Sequence, residues 1–298
     1  MNDEPLAPIA VFAFKRPTDT RRLLQSLCAN PEWIRSDVWV FCEGPRGPGD
    51  QAAVDATRAV VREQAWHPKM RVIEHESNQG CAKSIIDGIG RVLTEHETVI
   101  VLEDDLEVSP HFLAYMNEGL RRYATDERVM QLAGYMFDVD VLVTDDALFL
   151  PFVSSWGWAT WRRAWSAYDH SLSAMSWLDT WPWRRFRFDL HGAFAYRNML
   201  AQAERAEIDA WDIRWYLSVF RRDGLCLFPR KSLVKNYGFD NGTHATSSRL
   251  DVSLDRDFRV GLWPGAVRCK AAARTAMENF LRGHPLRARE LLRGIAWA

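Results

Sequence analysis

Long apolar runs are absent from this chain. No stretch of the 298 residues approaches the roughly 18 consecutive apolar positions that a membrane span needs. The opening M-N-D-E-P-L-A-P has acids where an export signal carries bases, and no apolar segment follows, so no signal peptide is expected. Cysteine is sparse. Cys28, Cys42, Cys81, Cys226 and Cys269 stand singly among apolar segments, odd in number and without a C-x-x-C pair. Free, buried thiols in a reducing cytosol are expected, rather than a disulfide framework. Net charge is only -1, so no global basic field gathers nucleic acid, and no nucleic-acid partner is expected. Internal repeats and low-complexity tracts are missing too.

Apolar and aromatic surface is plentiful. Hydrophobic residues make up 47% of the chain, enough for a sizeable core in one large domain or two small ones. There are 14 tryptophans, most of them between Trp156 and Trp263. At that density they serve either as core or as flat walls that pack on the C–H faces of sugar rings.

The first half alternates strand and helix. Strands are predicted at Ile9–Phe14, Val38–Cys42, Met70–Glu74 and Thr98–Leu102, with helices at Thr18–Ala29, from Asp50 as cap to Gln64, at Gly80–Leu93, and from Ser109-Pro110 through Tyr123. Crossover helices between strands mean an α/β fold with a mostly parallel sheet. After a strand at Val129–Ala133 the pattern turns irregular and aromatic. Helices at His191–Ala206 and Trp211–Arg222 and short strands at Leu225–Phe228 and Ser232–Lys235 are predicted there. The tail from Val267 reads as helical and basic, either a solvated face or a rim that meets anionic lipid headgroups.

The most informative run is V-I-V-L-E-D-D-L-E-V-S-P, Val99 to Pro110. An apolar strand ends there in Glu103, Asp104 and Asp105, which leave the sheet in different directions because side chains alternate along a strand. Ligands of open α/β sheets sit at that strand edge. Crowded acids repel one another unless a cation joins them, and hard oxygen ligands suit Mg²⁺ or Mn²⁺ shared with phosphates. The alternative is a plain acidic strand-to-loop turn.

Four pieces in order carry a family resemblance: V-F-A-F-K-R-P (Val11 to Pro17), N-x-G-x-x-K (Asn78 to Lys83), the E-D-D-L-E-V element, and Trp211-Asp212 ahead of G-L-C-L-F-P (Gly224 to Pro229). With them the chain resembles the GT-A fold glycosyltransferases, bacterial family 2-like, in particular the N-acetylglucosaminyltransferase I type. The resemblance spans roughly residues 9 to 245. It implies a Rossmann-like sheet with a nucleotide-sugar-binding half (1–135), an acceptor-binding and catalytic half of the same domain (136–262) and a helical tail (263–298). It also implies Mn²⁺ or Mg²⁺ on Asp105, with Asp104 and Glu103 on the donor's ribose and sugar hydroxyls. Arg16 approaches the nucleotide, Glu43 stands where the family has an Asp that accepts from the uracil N–H, and Asn78 with Lys83 makes a third nucleotide contact.

By the same resemblance Asp212, in A-W-D-I-R-W, is the base that deprotonates the acceptor hydroxyl, with Asp209 as the competitor and a plain helix cap as the structural alternative. Trp156, Trp158 and Trp211 are expected to wall the sugar and acceptor site, while Trp161 and Trp165, four apart, belong to the core. His244, in a glycine-bounded loop, is expected near the diphosphate or metal. The expected reaction is metal-dependent, inverting transfer from a UDP-sugar, GlcNAc-like, to a glycan, lipid-linked or protein acceptor in surface polysaccharide or glycan assembly. The expected place is the cytoplasm or the inner membrane face. Two other classes stay open: a sugar-nucleotide nucleotidyltransferase, although F-K-R-P-T-D-T lacks the Gly-rich basic loop such enzymes place after the first strand, and a non-catalytic carbohydrate-binding protein.

Overall fold

The computed structural model describes residues 5–63, 66–141, 143–238 and 250–283. In the first half β1 (Ile9–Ala13), β2 (Val38–Cys42), β3 (Met70–Glu74) and β4 (Thr98–Glu103) alternate with α1 (Pro17–Cys28), α2 (Gln51–Val61) and α3 (Cys81–Glu95). β5 (Leu106–Val108), α4 (Phe112–Arg122) and β6 (Val129–Ala133) follow. The second half holds β7 (Ala147–Leu150), β8 (Trp158–Trp161), α5 (Arg162–Trp165), α6 (Met175–Asp179), α7 (Pro182–Phe188), α8 (Tyr196–Glu204), α9 (Asp212–Arg221), β9 (Leu225–Pro229), β10 (Val234–Asn236) and α10 (Ala271–Arg282).

Eight strands form one sheet in the order β3-β2-β1-β4-β8-β6-β9-β7, and β10 pairs with β5 in a second, two-stranded sheet. β1 lies parallel to both β2 and β4, with Phe12 beside Phe41 and Glu103. β8 runs antiparallel between β4 and β6, so the sheet is parallel on its first side and mixed on its second. I-A-V-F-A of β1 is buried on both faces, as helices on the two sides of a parallel sheet require. S-S-W-G-W-A-T-W-R-R-A-W, Ser154 to Trp165, folds into β8 followed by α5.

Several local expectations change. Asp50 is the residue before α2 but makes no side-chain cap bond; it accepts instead from Lys15 Nζ at 2.9 Å. The helix after Ser109-Pro110 starts at Phe112, and Ser109 Oγ accepts from the His111 N–H at 3.3 Å. All five cysteines are free, but Cys28 is exposed and Cys269 half-buried, so only Cys42, Cys81 and Cys226 are core thiols. In the tail, α10 turns Arg274 and Arg282 onto Glu278, at 3.5 and 3.6 Å. Arg287, Arg289 and Arg293 lie outside the described residues. Among the described residues no helix is long and apolar enough to cross a membrane.

Candidate active site

The C-terminal ends of the four parallel strands meet at one edge of the sheet, and the expected polar residues gather there. β1 ends in Phe14-Lys15-Arg16, and the Phe14 N–H donates to Asp104 Oδ2 at 2.9 Å. Arg16 sits just ahead of α1 and sends Nη1 to Asp105 Oδ2 at 2.8 Å and to Asp104 Oδ1 at 3.4 Å. β4 stops at Glu103, and the chain turns through Asp104 and Asp105 into β5. The β5–β10 ladder pins that turn, with the Tyr237 N–H donating to the Asp105 carbonyl at 2.8 Å.

Glu103, Asp104 and Asp105 are all buried, against a single neighbouring guanidinium. Burial pushes all three carboxyls up. Asp104 rises to about 7, with Arg16 pulling it back and Asp105 pushing it further. Burial opposes the charge on Arg16 as well, but Asp104, Asp105 and Glu103 outweigh it and hold the guanidinium protonated. Three carboxyls thus face one cation, and the site favours the uptake of protons or of a further cation. Glu103 Oε1 and Asp105 Oδ1 are buried with no hydrogen-bond partner among the described residues, and so is Asn236 Nδ2 on β10. Unpaired oxygens in a desolvated, charge-imbalanced site are the sign of a missing cation or donor. Among the described residues no three or more His, Cys, Asp and Glu side chains form a ready-made cage. Asp105 thus suits an ion held by one carboxylate and completed by phosphate oxygens and water, the habit of Mg²⁺-like ions.

Glu43, at the end of β2, is buried, and its Oε2 accepts from the Gln79 N–H at 2.6 Å. Among the described residues its Oε1 makes no hydrogen bond, with His75 Nε2 at 3.8 Å. Asn78 spends its side chain on backbone, accepting from the Gly80 N–H at 3.0 Å and donating across to the Gly44 carbonyl after β2 at 3.3 Å. That turn needs glycine at residue 80, whose φ is +85°. Lys83 is not brought to the site. It is exposed on α3 and paired with Asp87 one turn on, so the expected nucleotide contact is replaced by a surface ion pair.

Asp209 Oδ2 accepts from the Ala82 N–H at 3.3 Å and so caps α3. Asp212 opens α9, its Oδ1 accepting from the Ile213 N–H at 2.8 Å. Asp212 therefore makes no side-chain cap for α9, and the cap Asp209 makes belongs to α3. Burial pushes Asp212 up to about 6, against the pull of the Ile213 N–H. Its charge also reaches Glu103, which it pushes up, so the two carboxyls share one electrostatic environment.

The tryptophans go elsewhere. Trp158 is 0% exposed and Trp211 1%, stacked on each other with ring centroids 5.2 Å apart. Trp165 and Trp215 close that cluster, and Trp215 Nε1 donates to Gln131 Oε1 at 2.6 Å. Trp156 is 3% exposed, edge-on to Tyr135 at 4.6 Å. These rings are buried in the core rather than set as an open sugar wall. His244 lies outside the described residues.

Several participants have no strong signal in the sequence. Cys81 Sγ stands 4.0 Å from Glu103 Oε2. Gly238 passes so near Asp105 that a Cβ there would sit 2.6 Å from Oδ2. Asn236, Tyr237 and Gly238 reach the acids only because β10 pairs with β5, a contact made across more than 120 residues. K-N-Y-G ahead of a polar loop is the faint signal for them.

Residues 9–135 match the family described as glycosyl transferase family 2. The match covers β1 through β6 and with them Arg16, Glu43, Asn78 and the three strand-end acids. Among solved structures the chain is similar to S. aureus TarS, at 15% identity over 53% of this chain and 28% of that one, TM-score 0.35. It is also similar to mouse xyloside xylosyltransferase 1 in its apo form, at 12% identity over 73% of this chain and 82% of that one, TM-score 0.40. The chain thus spans little more than a quarter of the TarS chain. No curated protein matches it.

Proposed function

We propose that the protein transfers a sugar from a nucleoside diphosphate donor to a hydroxyl of a glycan, lipid-linked or protein acceptor, with inversion, in the assembly of a surface polysaccharide or glycan. UDP and a GlcNAc-like hexose are the favoured donor. The observation that carries this reading is the buried strand-end triad, with two partnerless carboxylate oxygens and one guanidinium for three acids. Asp105 would hold Mn²⁺ or Mg²⁺, which when bound supplies Lewis-acid stabilisation of the charge gathering on the departing diphosphate.

The chain's own residues supply the rest. Arg16, held protonated by the acids, adds a fixed positive charge beside the diphosphate position and can make charge-assisted hydrogen bonds to it. Glu43 keeps one oxygen free of hydrogen bonds to accept from a base N–H, while its other oxygen fixes the Asn78–Gly80 turn. Glu103 and Asp104 take the ribose and sugar hydroxyls. Asp212 withdraws the acceptor's hydroxyl proton as that oxygen attacks the anomeric carbon, and its raised affinity for protons suits it to that task near neutral pH. No second carboxylate is assigned to attack the donor, so direct displacement with inversion follows.

Asp212→Asn tests the division of labour. Nucleotide binding is expected to persist while turnover of UDP-GlcNAc, read as UDP released with acceptor, falls by about 10²-fold or more. Wild-type turnover in that variant would move the base to another residue.

A further inference from the structure

Large apolar side chains are seldom exposed in this protein, and where they are, they cluster. Among the described residues five stand out: Ile34, Trp181, Trp183, Phe186 and Leu262. Three of the five fall within six consecutive positions, with Trp181 53%, Trp183 51% and Phe186 53% exposed. They lie on and just ahead of α7, P-W-R-R-F-R-F. The helix is anchored from below by Phe188, fully buried, stacked on Tyr216 at 4.5 Å and edge-on to Phe220 at 5.2 Å. A rigid underside with aromatics turned outward is not a frayed segment, and the outward rings are not part of the core.

The polar groups among these rings are guanidiniums. Arg184 lies over Trp177 at 4.5 Å and Trp183 at 5.6 Å, Arg187 over Trp183 at 5.6 Å, and Arg185 is exposed beside Phe186. The nearby acids are engaged: Asp179 by Arg197 at 2.5 Å and Asp223 by Arg187 at 2.9 Å. The patch continues toward α10, since Phe186 packs on His191 at 5.1 Å, and His191 bonds Glu278 of α10 at 2.6 Å.

Indoles and a phenyl ring interleaved with arginines are the composition of a segment that lies in a membrane interface. The rings settle at headgroup depth and the guanidiniums pair with lipid phosphates. A surface built to read a neutral glycan sets free carboxylates and amides between its rings, and here the nearby carboxylates Asp179 and Asp223 are tied up by arginines. We propose that the Trp181–Phe186 surface docks the protein onto an anionic phospholipid bilayer, independently of the transferase reaction.

The test uses the full chain and vesicles of phosphatidylcholine with and without phosphatidylglycerol. Co-sedimentation is expected with the anionic vesicles and much less with phosphatidylcholine alone. The triple variant Trp181→Ser, Trp183→Ser, Phe186→Ser should partition about tenfold or more weakly, with nucleotide binding unchanged. Arg185→Glu should weaken binding in low salt and leave it nearly unchanged in high salt. Should the triple variant fail to fold, quenching of wild-type tryptophan fluorescence by brominated lipid, reduced in Trp181→Phe/Trp183→Phe, decides the matter. Absence of wild-type binding to anionic vesicles, or equal binding by the variants, overturns the proposal. So does loss of affinity for a soluble chito-oligosaccharide in the triple variant while vesicle binding is unchanged, which would make the patch a glycan surface.

Discussion

Replacing Arg16 by Met removes the guanidinium that touches Asp105 Oδ2 at 2.8 Å and Asp104 Oδ1 at 3.4 Å while keeping most of the side-chain volume. Both carboxylates are about 3% exposed, so water cannot replace the lost partner. Breaking a buried pair from one side costs about 3–5 kcal/mol when the orphaned charge stays ionised. The cost depends on pH, and its sign follows from linkage. Asp104 already titrates near 7, against an ordinary 3.8, and losing Arg16 pushes it higher. A carboxyl whose folded pKa is raised binds its proton more tightly folded than unfolded. It therefore favours the folded state at low pH, and that stability is lost as pH climbs from the unfolded value toward the folded one. Near pH 4 the penalty of Arg16→Met should shrink to about 1.5–3 kcal/mol, the worth of a hydrogen bond from the charged guanidinium to a neutral carboxyl. Above pH 7 it should approach its full size, and Mn²⁺ should restore part of it by replacing the missing charge. Denaturant unfolding of both proteins at pH 5 and pH 8, with and without Mn²⁺, reads this directly. An equal penalty at both pH values would refute the idea that the acids share a charge-starved site.

Further outcomes follow from the same geometry. Turnover should fall about tenfold per pH unit below an apparent pKa near 6, as Asp212 takes up its proton and stops acting as a base; a flat acid limb in a pH–kcat profile would contradict it. Trp158→Ala empties the centre of the indole cluster and should cost about 3–5 kcal/mol in denaturant unfolding, the penalty of a cavity rather than of a lost sugar contact. Gln131→Leu strands the buried Trp215 N–H and should cost about 1–3 kcal/mol, measured the same way.

Residues whose role is set by short-range pattern could be read from the sequence. V-I-V-L-E-D-D shows an apolar strand running into charge, and Thr98–Glu103 is that strand, in place beside β1. Arg16 follows the same logic one strand over. The tryptophans could not be assigned this way, because a ring in a core and a ring under a sugar have the same sequence signature. Only β8, inserted antiparallel between β4 and β6, turns Trp158 inward onto Trp211. Lys83 misled because N-x-G-x-x-K fits a helix start near nucleotide, but at helical spacing Asp87 competes for the same ammonium. A-L-F-L of β7 is too short a run to show a period, and its place at the sheet edge is set by pairing with β9. Asn236 and Gly238 beside Asp105 depend wholly on long-range pairing, which composition and spacing do not encode.

The most direct measurement is calorimetric titration of UDP into the wild-type protein and Asp105→Ala, each with and without Mn²⁺. Nucleotide should bind the wild type tightly only with the ion present, and Asp105→Ala should lose that metal-dependent binding altogether. UDP binding that ignores Mn²⁺, or that survives the loss of Asp105 unchanged, would contradict a donor held by a cation at the tip of β4.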